Sequence, residues 1–242
     1  MKIALIGYGR MGHLIENIAR ERGHEIVAII DKDNLSDFDG EAFSKADVAI
    51  EFTTPDTAVD NLRRCIFSHI PVVSGTTGWQ TRREEIKSLC EKVGSTVLWS
   101  SNFSLGVNLF FAINRRVASL MGAVEEYTPY MTEIHHIHKL DHPSGTAVTL
   151  AEQVVEATPR LDGWSEEPTR EGDKLIVNHV REGEVPGTHI IRWDSPVDAI
   201  TIEHQAKSRE GFALGAVMAA EWAAGRKGWL TLDDFMSEKF KV

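Results

Sequence analysis

A dense cluster of protonatable side chains lies in residues 132–147, where the sequence is TEIHHIHKLDHPSGTA. This stretch holds four histidines, one lysine, two acids and a Pro-Ser-Gly-Thr sequence. So many polar groups are poor material for a hydrophobic core. Histidine changes charge near neutral pH, and the lysine adds a positive charge beside it. The stretch therefore favours a site that binds an anion and transfers a proton.

The second half of this stretch predicts the start of a helix. Pro143 ends any regular element before it, and Ser144 is a preferred N-cap residue for a helix over about residues 145–156. Gly145 and Thr146 then fall in the first turn, where free backbone N–H groups and the helix dipole favour a carboxylate or phosphate. We therefore predict an anion cradle at this helix start, with the lysine and the histidines beside it.

Two plainer interpretations compete with this one. A Ser-Gly-Thr sequence after proline is often only a helix start, and a single lysine is often only a solvated charge. A metal site would use His135, His136, His138 and Asp141 as ligands. However, adjacent histidines point to opposite faces of a strand, no cysteine lies nearby, and Lys139 would repel a cation. We therefore favour the anion-binding catalytic site and expect no metal.

The start of the chain carries a dinucleotide-binding pattern. After a short apolar strand, Gly7, Gly9 and Gly12 follow in G-x-G-x-x-G spacing and lead into an amphipathic helix. A second apolar strand over residues 25–30 ends at Asp31. Gly7 permits the tight turn, Gly9 lets the backbone approach a pyrophosphate, and Gly12 lets helix and strand pack closely. This context favours a dinucleotide site over a purely structural glycine-rich turn.

The end of the second strand bears on the choice of cofactor. Asp31 is placed to accept hydrogen bonds from the adenosine ribose hydroxyls, and its carboxylate would repel a 2′-phosphate. Lys32 follows it and would partly neutralise such a phosphate. We therefore predict NADH as the preferred cofactor and NADPH as a second cofactor that the site can accept.

Short apolar strands continue to alternate with helices up to residue 103, which predicts a Rossmann-like doubly wound parallel sheet. These strands end in small or hydroxylated residues, which ordinary turns also use. Because ligands bind at the carboxyl ends of such strands, the loops are expected to form the nicotinamide half of a cofactor pocket. The loop residues are Phe52, Thr53, Gly75, Thr76, Thr77, Ser100, Ser101, Asn102 and Phe103.

The pattern changes after residue 103, to a long apolar helix and then longer alternating runs. The runs at 174–181, 188–193 and 197–207 predict a mixed or antiparallel sheet in a C-terminal α+β domain. Residues 158–172 are rich in proline, glycine and acids and predict a surface loop.

The last two predicted helices, over residues 211–224 and 232–240, are expected to return to the first domain, with Arg209 and Phe212 near the hinge. The expected domains are a dinucleotide-binding domain of residues 1–103 plus 209–242 and a substrate domain of residues 104–208.

Charge and cysteine content exclude several classes of function. The 242 residues carry a net charge of −10, which argues against general nucleic-acid binding. No apolar run has transmembrane length, and the N-terminal run is too short for a signal peptide. Cys65 and Cys90 are the only cysteines and fall in predicted helices. A disulfide framework is therefore not expected, and a cytoplasmic location is.

Taken together, these residues resemble the 4-hydroxy-tetrahydrodipicolinate reductase family, long called dihydrodipicolinate reductase, of the bacterial diaminopimelate and lysine pathway. The resemblance covers nearly the whole chain, and its most specific motif is E-x-H-H-x-x-K-x-D-x-P-S-G-T at residues 133–146. The supporting motifs are Gly9-Arg10-Met11-Gly12, Glu51-Phe52-Thr53, Gly75-Thr76-Thr77, Asn102-Phe103-Ser104 with Gly106-Val107-Asn108, and Arg209 with Phe212.

The resemblance implies a role for each part of the site. His135 is similar to the family's acid/base, Lys139 to its proton donor and substrate contact, and His136 to a substrate ligand. Gly145 and Thr146, after Ser144, are similar to its backbone clamp on a substrate carboxylate. The implied cofactor contacts are Gly7, Tyr8, Gly9, Arg10, Met11, Gly12, Asp31, Lys32, Phe52, Gly75, Thr76, Thr77, Ser100, Ser101, Asn102, Phe103, Arg209 and Phe212.

The family pattern also implies a homotetramer built through the sheet of the second domain. The chain departs from many members at two places. Its first glycine loop is one residue shorter, which shifts the position matched by Tyr8, and Ile137 stands where many members have arginine.

The implied substrate is a cyclic dicarboxylic hydroxy-imine. It loses water, receives hydride from NAD(P)H and takes a proton from His135 or Lys139, and the two domains are expected to close for the reaction. Two alternatives stay open: another two-domain NAD-dependent dehydrogenase, of the homoserine or aldehyde type, and a non-catalytic NAD-binding regulator. An aldehyde enzyme acting through a thiol would need a cysteine at a strand end. A regulator would not need the His-His-Lys and Ser-Gly-Thr set.

Overall fold

The computed structural model describes residues 1–168 and 173–241. Its elements, in chain order, are β1 (Lys2–Ile6), α1 (Arg10–Glu21), β2 (Glu25–Ile30), α2 (Glu41–Ser44), β3 (Val48–Glu51), α3 (Pro55–Phe67), β4 (Val72–Ser74), α4 (Arg83–Val93), β5 (Thr96–Trp99), α5 (Leu105–Met121), β6 (Thr128–His135), α6 (Gly145–Glu156), β7 (Trp164–Ser165), β8 (Leu175–Arg181), β9 (Thr188–Asp194), β10 (Ala199–Gln205), α7 (Glu210–Ala223), β11 (Gly228–Leu230) and α8 (Leu232–Phe240). The chain forms two compact units, Met1–Leu105 with Glu210–Val242, and Gly106–Arg209.

The first unit is built on a six-stranded parallel sheet with the order β11-β5-β4-β3-β1-β2. Successive residues of β1, from Ile3 to Ile6, are all buried, so both faces of the sheet are covered. Helices α3 and α4 pack on the sheet together, and so do α1 and α7. The strand order turns back between β1 and β3, the position where doubly wound sheets bind ligands. The predicted Rossmann-like sheet is confirmed.

Short elements of this unit were missed by the sequence prediction. A 3₁₀ turn at Leu35–Asp39 and the four-residue helix α2 lie between β2 and β3. Strand β11 pairs with β5 and extends the sheet, but with three residues it is too short to show a periodic pattern.

The second unit contains a five-stranded sheet with the order β10-β9-β6-β8-β7. Helices α5 and α6 pack on one face, in a core that includes Phe110, Leu150, Met131, Val177 and Trp193. The predicted mixed or antiparallel sheet is confirmed as a mixed sheet. Strand β9 is antiparallel to both β10 and β6, and β8 runs parallel to β6 and to β7. The reason is that α6 crosses over between β6 and β8, and such a connection produces parallel strands.

The segment predicted as a surface loop, residues 158–172, also contains an element. Trp164–Ser165 forms β7 and pairs with β8 at the sheet edge. The last four residues of that segment, 169–172, lie outside the described residues. In the part of the chain that the structure describes, none of the helices is long and apolar enough to cross a membrane.

The register of the second sheet determines which polar side chains meet. Burial alternates along β6, and Glu133 and His135 fall on the buried side with Met131. Glu133 pairs with His189 on β9 and with His179 on β8. Three strands therefore bring titratable side chains to one end of the sheet.

Candidate active site

A cavity of about 670 Å³ lies at the carboxyl ends of β1, β2 and β3 in the first unit. Its walls include the predicted cofactor residues Gly7, Tyr8, Gly9, Asp31, Lys32 and Phe52. The cavity is at the turning point of the strand order, where this class of sheet binds nucleotides.

The glycines of the first loop differ in what surrounds them. Gly7 has φ +89°, and a Cβ there would lie 2.1 Å from the carbonyl oxygen of Phe52. A Cβ at Gly12 would lie 2.4 Å from the carbonyl oxygen of Gly7, so helix and loop pack too closely for a side chain. A Cβ at Gly9 would meet nothing within 4 Å, which leaves open space over the loop at the start of α1. These features fit a pyrophosphate bound at the helix N-terminus.

The Asp31 carboxylate lies against the glycine loop. It accepts hydrogen bonds from the backbone N–H groups of Tyr8, at 3.1 Å, and Lys32, at 2.7 Å. Asp31 lies on the cavity wall, and its role at the adenosine ribose stays a prediction.

One face of α3 also lines this cavity and was missed by the sequence reasoning. Thr57, Asn61 and Arg64 recur every three or four residues, which places them on one side of the helix. Leu35, Thr53, Thr54, Asp56 and Asp60 complete this wall. The sequence did contain a signal for this wall, because polar residues recur at helical spacing in the helix just after a strand end.

A second cavity of about 370 Å³ in the same unit is formed by the strand-end loops. It shares Gly9, Phe52 and Thr53 with the first cavity. The other lining residues are Arg10, Met11, Pro55, Gly75, Thr76 and Thr77. A Cβ at Gly75 would lie 2.2 Å from the ring of Phe52, so the ring rests directly on that glycine.

A buried carboxylate holds these loops in place. Glu51 is fully buried and accepts hydrogen bonds from the hydroxyls of Ser74 at 2.5 Å, Thr76 at 2.8 Å, and Thr53. Burial raises the pKa of Glu51, and these hydrogen bonds oppose that rise. Glu51 thus ties together the loops that follow β3 and β4, a role that the sequence reasoning did not assign.

The remaining predicted cofactor residues do not line either cavity. Gly12 packs under the loop, and Ser100, Ser101 and Asn102 lie in the loop after β5, where the Ser100 N–H donates to Ser74 at 3.2 Å. Phe103 is buried, with its ring centre 6.0 Å from that of Phe52. The last two belong to different units: Arg209 ends the second unit, and Phe212 lies in α7 of the first.

In the second unit, Glu133 is the centre of a buried polar cluster. Its carboxylate accepts the backbone N–H of Ser144, which lies 3.1 Å from both oxygens. Arg181 Nη2 lies 3.3 Å from Oε1, and His135 Nδ1 lies 3.3 Å from Oε2. The His135 contact has ion-pair length without good hydrogen-bond angles. Glu133 therefore links the strand, the helix start and the predicted acid/base.

This cluster shifts the pKa values of two of its members. Burial opposes ionisation of Glu133, but the contacts from His135 and Ser144 outweigh it and hold the pKa of Glu133 at about 2. Burial, together with the positive charge of His135, lowers the pKa of His189 to about 4. The cluster therefore combines an ionised carboxylate with a neutral His189 at physiological pH.

The predicted helix start at Ser144 is confirmed. The Ser144 hydroxyl accepts the N–H of Ala147 at 3.1 Å and lies 3.3 Å from His189 Nε2, which in its neutral form can accept the hydroxyl proton. In the described part of the chain, the N–H groups of Gly145 and Thr146 have no acceptor. A Cβ at Gly145 would meet nothing within 4 Å, so the first residue of α6 is not crowded by neighbouring atoms on that side.

The loop between His135 and Ser144 is held by Arg181, another residue that the sequence reasoning missed. Its guanidinium donates to the carbonyl oxygens of Lys139 at 3.3 Å and Asp141 at 2.7 Å. The Lys139 ammonium binds both oxygens of the Asp141 carboxylate, at 2.8 and 2.9 Å. Arg181 ends an alternating strand and gave no local sign of this contact.

The metal ligands considered from the sequence, which were His135, His136, His138 and Asp141, do not form one of the groups of described residues that have metal-ligand geometry. His138 is exposed and pairs with Glu184 at 3.1 Å, and the ring of His136 lies beside that of His138. Among the described residues, the groups with metal-ligand geometry are Glu133 with His135 and His189, and His142 with Glu166 and His179.

A glycine on the loop before β9 leaves room beside His135. Gly187 has φ +149°, a conformation that favours glycine, and a Cβ there would lie 3.0 Å from His135 Nε2. The ring nitrogen of His135 that faces away from Glu133 therefore lies against a residue without a side chain.

Comparisons with known proteins agree with this architecture. The family model described as "Dihydrodipicolinate reductase, N-terminus" matches residues 1–103, and the one described as "Dihydrodipicolinate reductase, C-terminus" matches residues 106–236. The chain belongs to the dihydrodipicolinate reductase family. A 4-hydroxy-tetrahydrodipicolinate reductase from Christiangramia forsetii is 46% identical over 245 residues, covering 100% of both chains. One from Archaeoglobus fulgidus is 36% identical and covers 98% of this chain and 100% of its own.

A solved structure supports the family fold at lower identity. The dipicolinate-bound dihydrodipicolinate reductase from Paenisporosarcina sp. TG-14 has a TM-score of 0.74 and 23% identity, covering 96% of this chain and 97% of its own. The family resemblance predicted from the sequence is confirmed. The alternative of a thiol-dependent aldehyde enzyme is disfavoured, since Cys65 and Cys90 are buried in α3 and α4, and burial raises the pKa of each thiol.

Proposed function

We propose that this member of the family reduces 4-hydroxy-tetrahydrodipicolinate, through the dehydrated cyclic imine, to tetrahydrodipicolinate with NAD(P)H in diaminopimelate and lysine biosynthesis. Family membership supports this reductase activity. The observation that carries the proposal is the Glu133–His135 contact on β6, joined through Ser144 to the open N-terminus of α6. One cluster thus connects a proton donor with a site for a carboxylate.

The first unit offers the elements of a dinucleotide site. The pyrophosphate would bind over Gly9 at the start of α1, and the adenosine ribose would bind at Asp31. The cofactor supplies hydride when it is bound. We propose NADH as the preferred form because Asp31 repels a 2′-phosphate, while Lys32 and Arg64 on the same wall leave NADPH acceptable.

The second unit would hold the substrate by its carboxylates. We propose that the N–H groups of Gly145 and Thr146 bind one carboxylate at the start of α6. Lys139 and His136 would contact the substrate from the neighbouring loop, with Lys139 exchanging its partner Asp141 for a substrate group. The relative with dipicolinate bound carries a ligand of the same cyclic dicarboxylate class.

His135 is the residue that we propose as the acid, with Lys139 as the alternative donor. Glu133 would hold its Nδ1 and stabilise the protonated imidazole. The space beside Gly187 would then let Nε2 reach the substrate. General acid catalysis of this kind contributes roughly 100- to 10,000-fold to the rate.

We also propose a homotetramer formed through the sheet of the second unit. Helices α5 and α6 pack on one face of that sheet. The other face presents Tyr130, Ile134, Val180 and Ile190 among polar residues such as Thr132, Asn178 and Arg192, and Tyr130 and Val180 are exposed. Exposed apolar side chains on a sheet face are suited to a partner subunit. We place the enzyme in the cytoplasm, where a reducing environment suits two free thiols.

The direct test is oxidation of NADH, and separately of NADPH, with the substrate generated from pyruvate and aspartate semialdehyde by the preceding synthase. We expect synthase-dependent oxidation, faster with NADH, and a smaller ratio of the two rates in Asp31→Ser. His135→Gln should lose at least 100-fold in kcat and keep its NADH affinity. His138→Gln, an exposed histidine of the same stretch, serves as the matched control. Tight NADH binding without synthase-dependent oxidation would refute the substrate and favour the regulator.

A further inference from the structure

A second group of metal-ligating side chains lies at the surface of the second unit, apart from the Glu133 cluster. His142 precedes Pro143 and the start of α6, Glu166 follows β7, and His179 lies in β8. His142 belongs to the histidine-rich stretch of residues 132–147, whereas Glu166 and His179 lie outside every motif of the sequence. They come from three segments that are separated along the chain, and the parallel pairing of β7 with β8 brings Glu166 close to His179.

The three side chains converge on one point. His142 Nδ1 lies 2.8 Å, and His179 Nδ1 lies 2.9 Å, from the same oxygen, Oε1 of Glu166. The two imidazole rings are stacked, with centres 4.3 Å apart and planes 17° apart. The ring stacking places both Nδ1 atoms on the same carboxylate oxygen, so two nitrogens and one oxygen face a common volume.

These donor atoms are of the kinds that zinc prefers. Zn²⁺ binds imidazole nitrogen at roughly 2.0–2.1 Å and carboxylate oxygen at roughly 2.0–2.2 Å, usually with tetrahedral geometry. Ligand atoms around such an ion are about 3.4 Å apart, as these bond lengths require. The distances from the two Nδ1 atoms to Glu166 Oε1 are about 0.5 Å shorter than this. To bind an ion, the side chains therefore need to move slightly apart and the two imidazole rings need to rotate away from their stacked arrangement. All three are at least partly exposed and have room to do so.

We propose that His142, Glu166 and His179 form a binding site for a divalent transition-metal ion of the Zn²⁺ class. Nδ1 of each histidine and a carboxylate oxygen of Glu166 are three ligands, and water is the fourth. Imidazole ligands favour Zn²⁺, Cu²⁺ or Ni²⁺ over Mg²⁺ and Ca²⁺, which prefer oxygen ligands alone. The site does not depend on the proposed reductase activity, because it uses none of the residues assigned to it.

Within the described chain, the other group with metal-ligand geometry is a poorer candidate. The Glu133 carboxylate already accepts the Ser144 N–H and pairs with Arg181, so its oxygens are occupied and a positive guanidinium lies beside them. Glu166 has only the two imidazoles as partners among the described contacts. A metal ion at Glu166 therefore displaces one hydrogen bond and one ion-pair contact, and among the described residues no lysine or arginine pairs with this carboxylate.

Metal binding at this site has a structural consequence. His142 lies two residues before Ser144, the N-cap of α6. An ion held by His142, Glu166 and His179 would tie the segment before α6 to β8 and to the segment after β7. We therefore expect Zn²⁺ to raise the thermal stability of the protein, since a ligand that binds only the folded state stabilises it.

The test is titration of chelator-treated full-length protein with Zn²⁺ by calorimetry, and with Co²⁺ by visible absorption. We expect one ion per chain and Co²⁺ bands of low-coordinate geometry. Loss of an outer-shell partner alone weakens a metal site roughly 10- to 100-fold, so His179→Ala and Glu166→Gln should weaken binding at least that much. His138→Ala, which removes a surface histidine with a single glutamate partner, is the matched control and should bind as the wild type does.

Three results would overturn the proposal. The first is wild-type protein that binds no Zn²⁺ at ion concentrations well above that of the protein. The second is equal binding by the wild type and His179→Ala, which would place the ion elsewhere. The third is binding that survives His179→Ala and disappears in His189→Ala, which would assign the ion to the buried Glu133 cluster. Because His138, Glu166 and His179 have partly exposed side chains, circular dichroism should show an unchanged fold in their variants.

Discussion

Replacement of Glu133 by glutamine should weaken both the fold and the catalysis. The substitution keeps the size of a fully buried side chain and removes its charge. The new side chain would keep one oxygen for the Ser144 N–H. Its amide N–H₂ would take the place of the other oxygen and face either Arg181 or His135, which contact different oxygens of Glu133 and are donors themselves. Breaking one partner of a buried charged pair is costly because the remaining charge is left without compensation.

The magnitude follows from the pKa of Glu133, which is about 2 in the folded protein against an ordinary value of 4.5. Each pKa unit is worth about 1.4 kcal/mol, so ionised Glu133 contributes about 3 kcal/mol to the free energy of unfolding. Since the folded pKa is the lower one, this contribution is fully present above pH 4.5 and is lost as the pH falls to 2. For a chain of this size the change corresponds to a Tm lower by roughly 6–12 °C at pH 7.

The assay is urea unfolding of wild type and Glu133→Gln at pH 7 and pH 3, together with steady-state kinetics at pH 7. Glu152→Gln makes the same chemical change at an exposed position of α6 and serves as the control. We expect a stability difference near 3 kcal/mol at pH 7 that shrinks at pH 3. The kinetics should show at least a tenfold lower kcat with an unchanged KM for NADH. A stability difference that is the same at both pH values would refute the reasoning.

Three further changes test the surroundings of His135. Gly187→Ala places a Cβ 3.0 Å from His135 Nε2, so kcat should fall at least tenfold while NADH affinity is unchanged; normal kcat would exclude a role for that space. His189 has its pKa lowered to about 4 from 6.5, so protonation costs up to about 3 kcal/mol of stability as the pH falls from 6.5 to 4. His189→Gln should flatten that loss in urea unfolding. Arg181→Lys keeps the charge but cannot bridge the carbonyls of Lys139 and Asp141, so kcat/KM should fall about tenfold without loss of the fold.

The first unit could be predicted well because its signals are local. Continuous apolar runs marked the strands, and the glycine spacing marked the turn between β1 and α1. Each was visible within about ten residues. The elements that were missed, such as β11, are stabilised by a neighbouring strand rather than by their own pattern. The wall formed by α3 was missed because its residues follow the strand end by a full helical turn or more.

The second unit shows the same contrast between features that depend on local sequence and features that depend on distant parts of the chain. The helix at Ser144 was predicted from its cap and proline, both local features. The mixed or antiparallel sheet was predicted, but not that β8 is a parallel strand, because alternation along a strand does not tell whether the neighbour runs parallel or antiparallel. That direction depends on α6 crossing between β6 and β8, which is a property of the connection and not of the strand.

The strand direction also explains why the chemistry of Glu133 was hidden in the sequence. Its partners come from three other places along the chain: Ser144 at a helix start, Arg181 on β8 and His189 on β9. If β8 paired with β6 in the opposite direction, Arg181 would lie at the far end of the sheet and could not hold the loop that carries Lys139. The proposed acid/base, His135, lies in a motif of consecutive residues, while the residues proposed to orient it depend on the register of a mixed sheet. We expect substitutions at those orienting residues to lower kcat although none of them lies within the motif's catalytic positions.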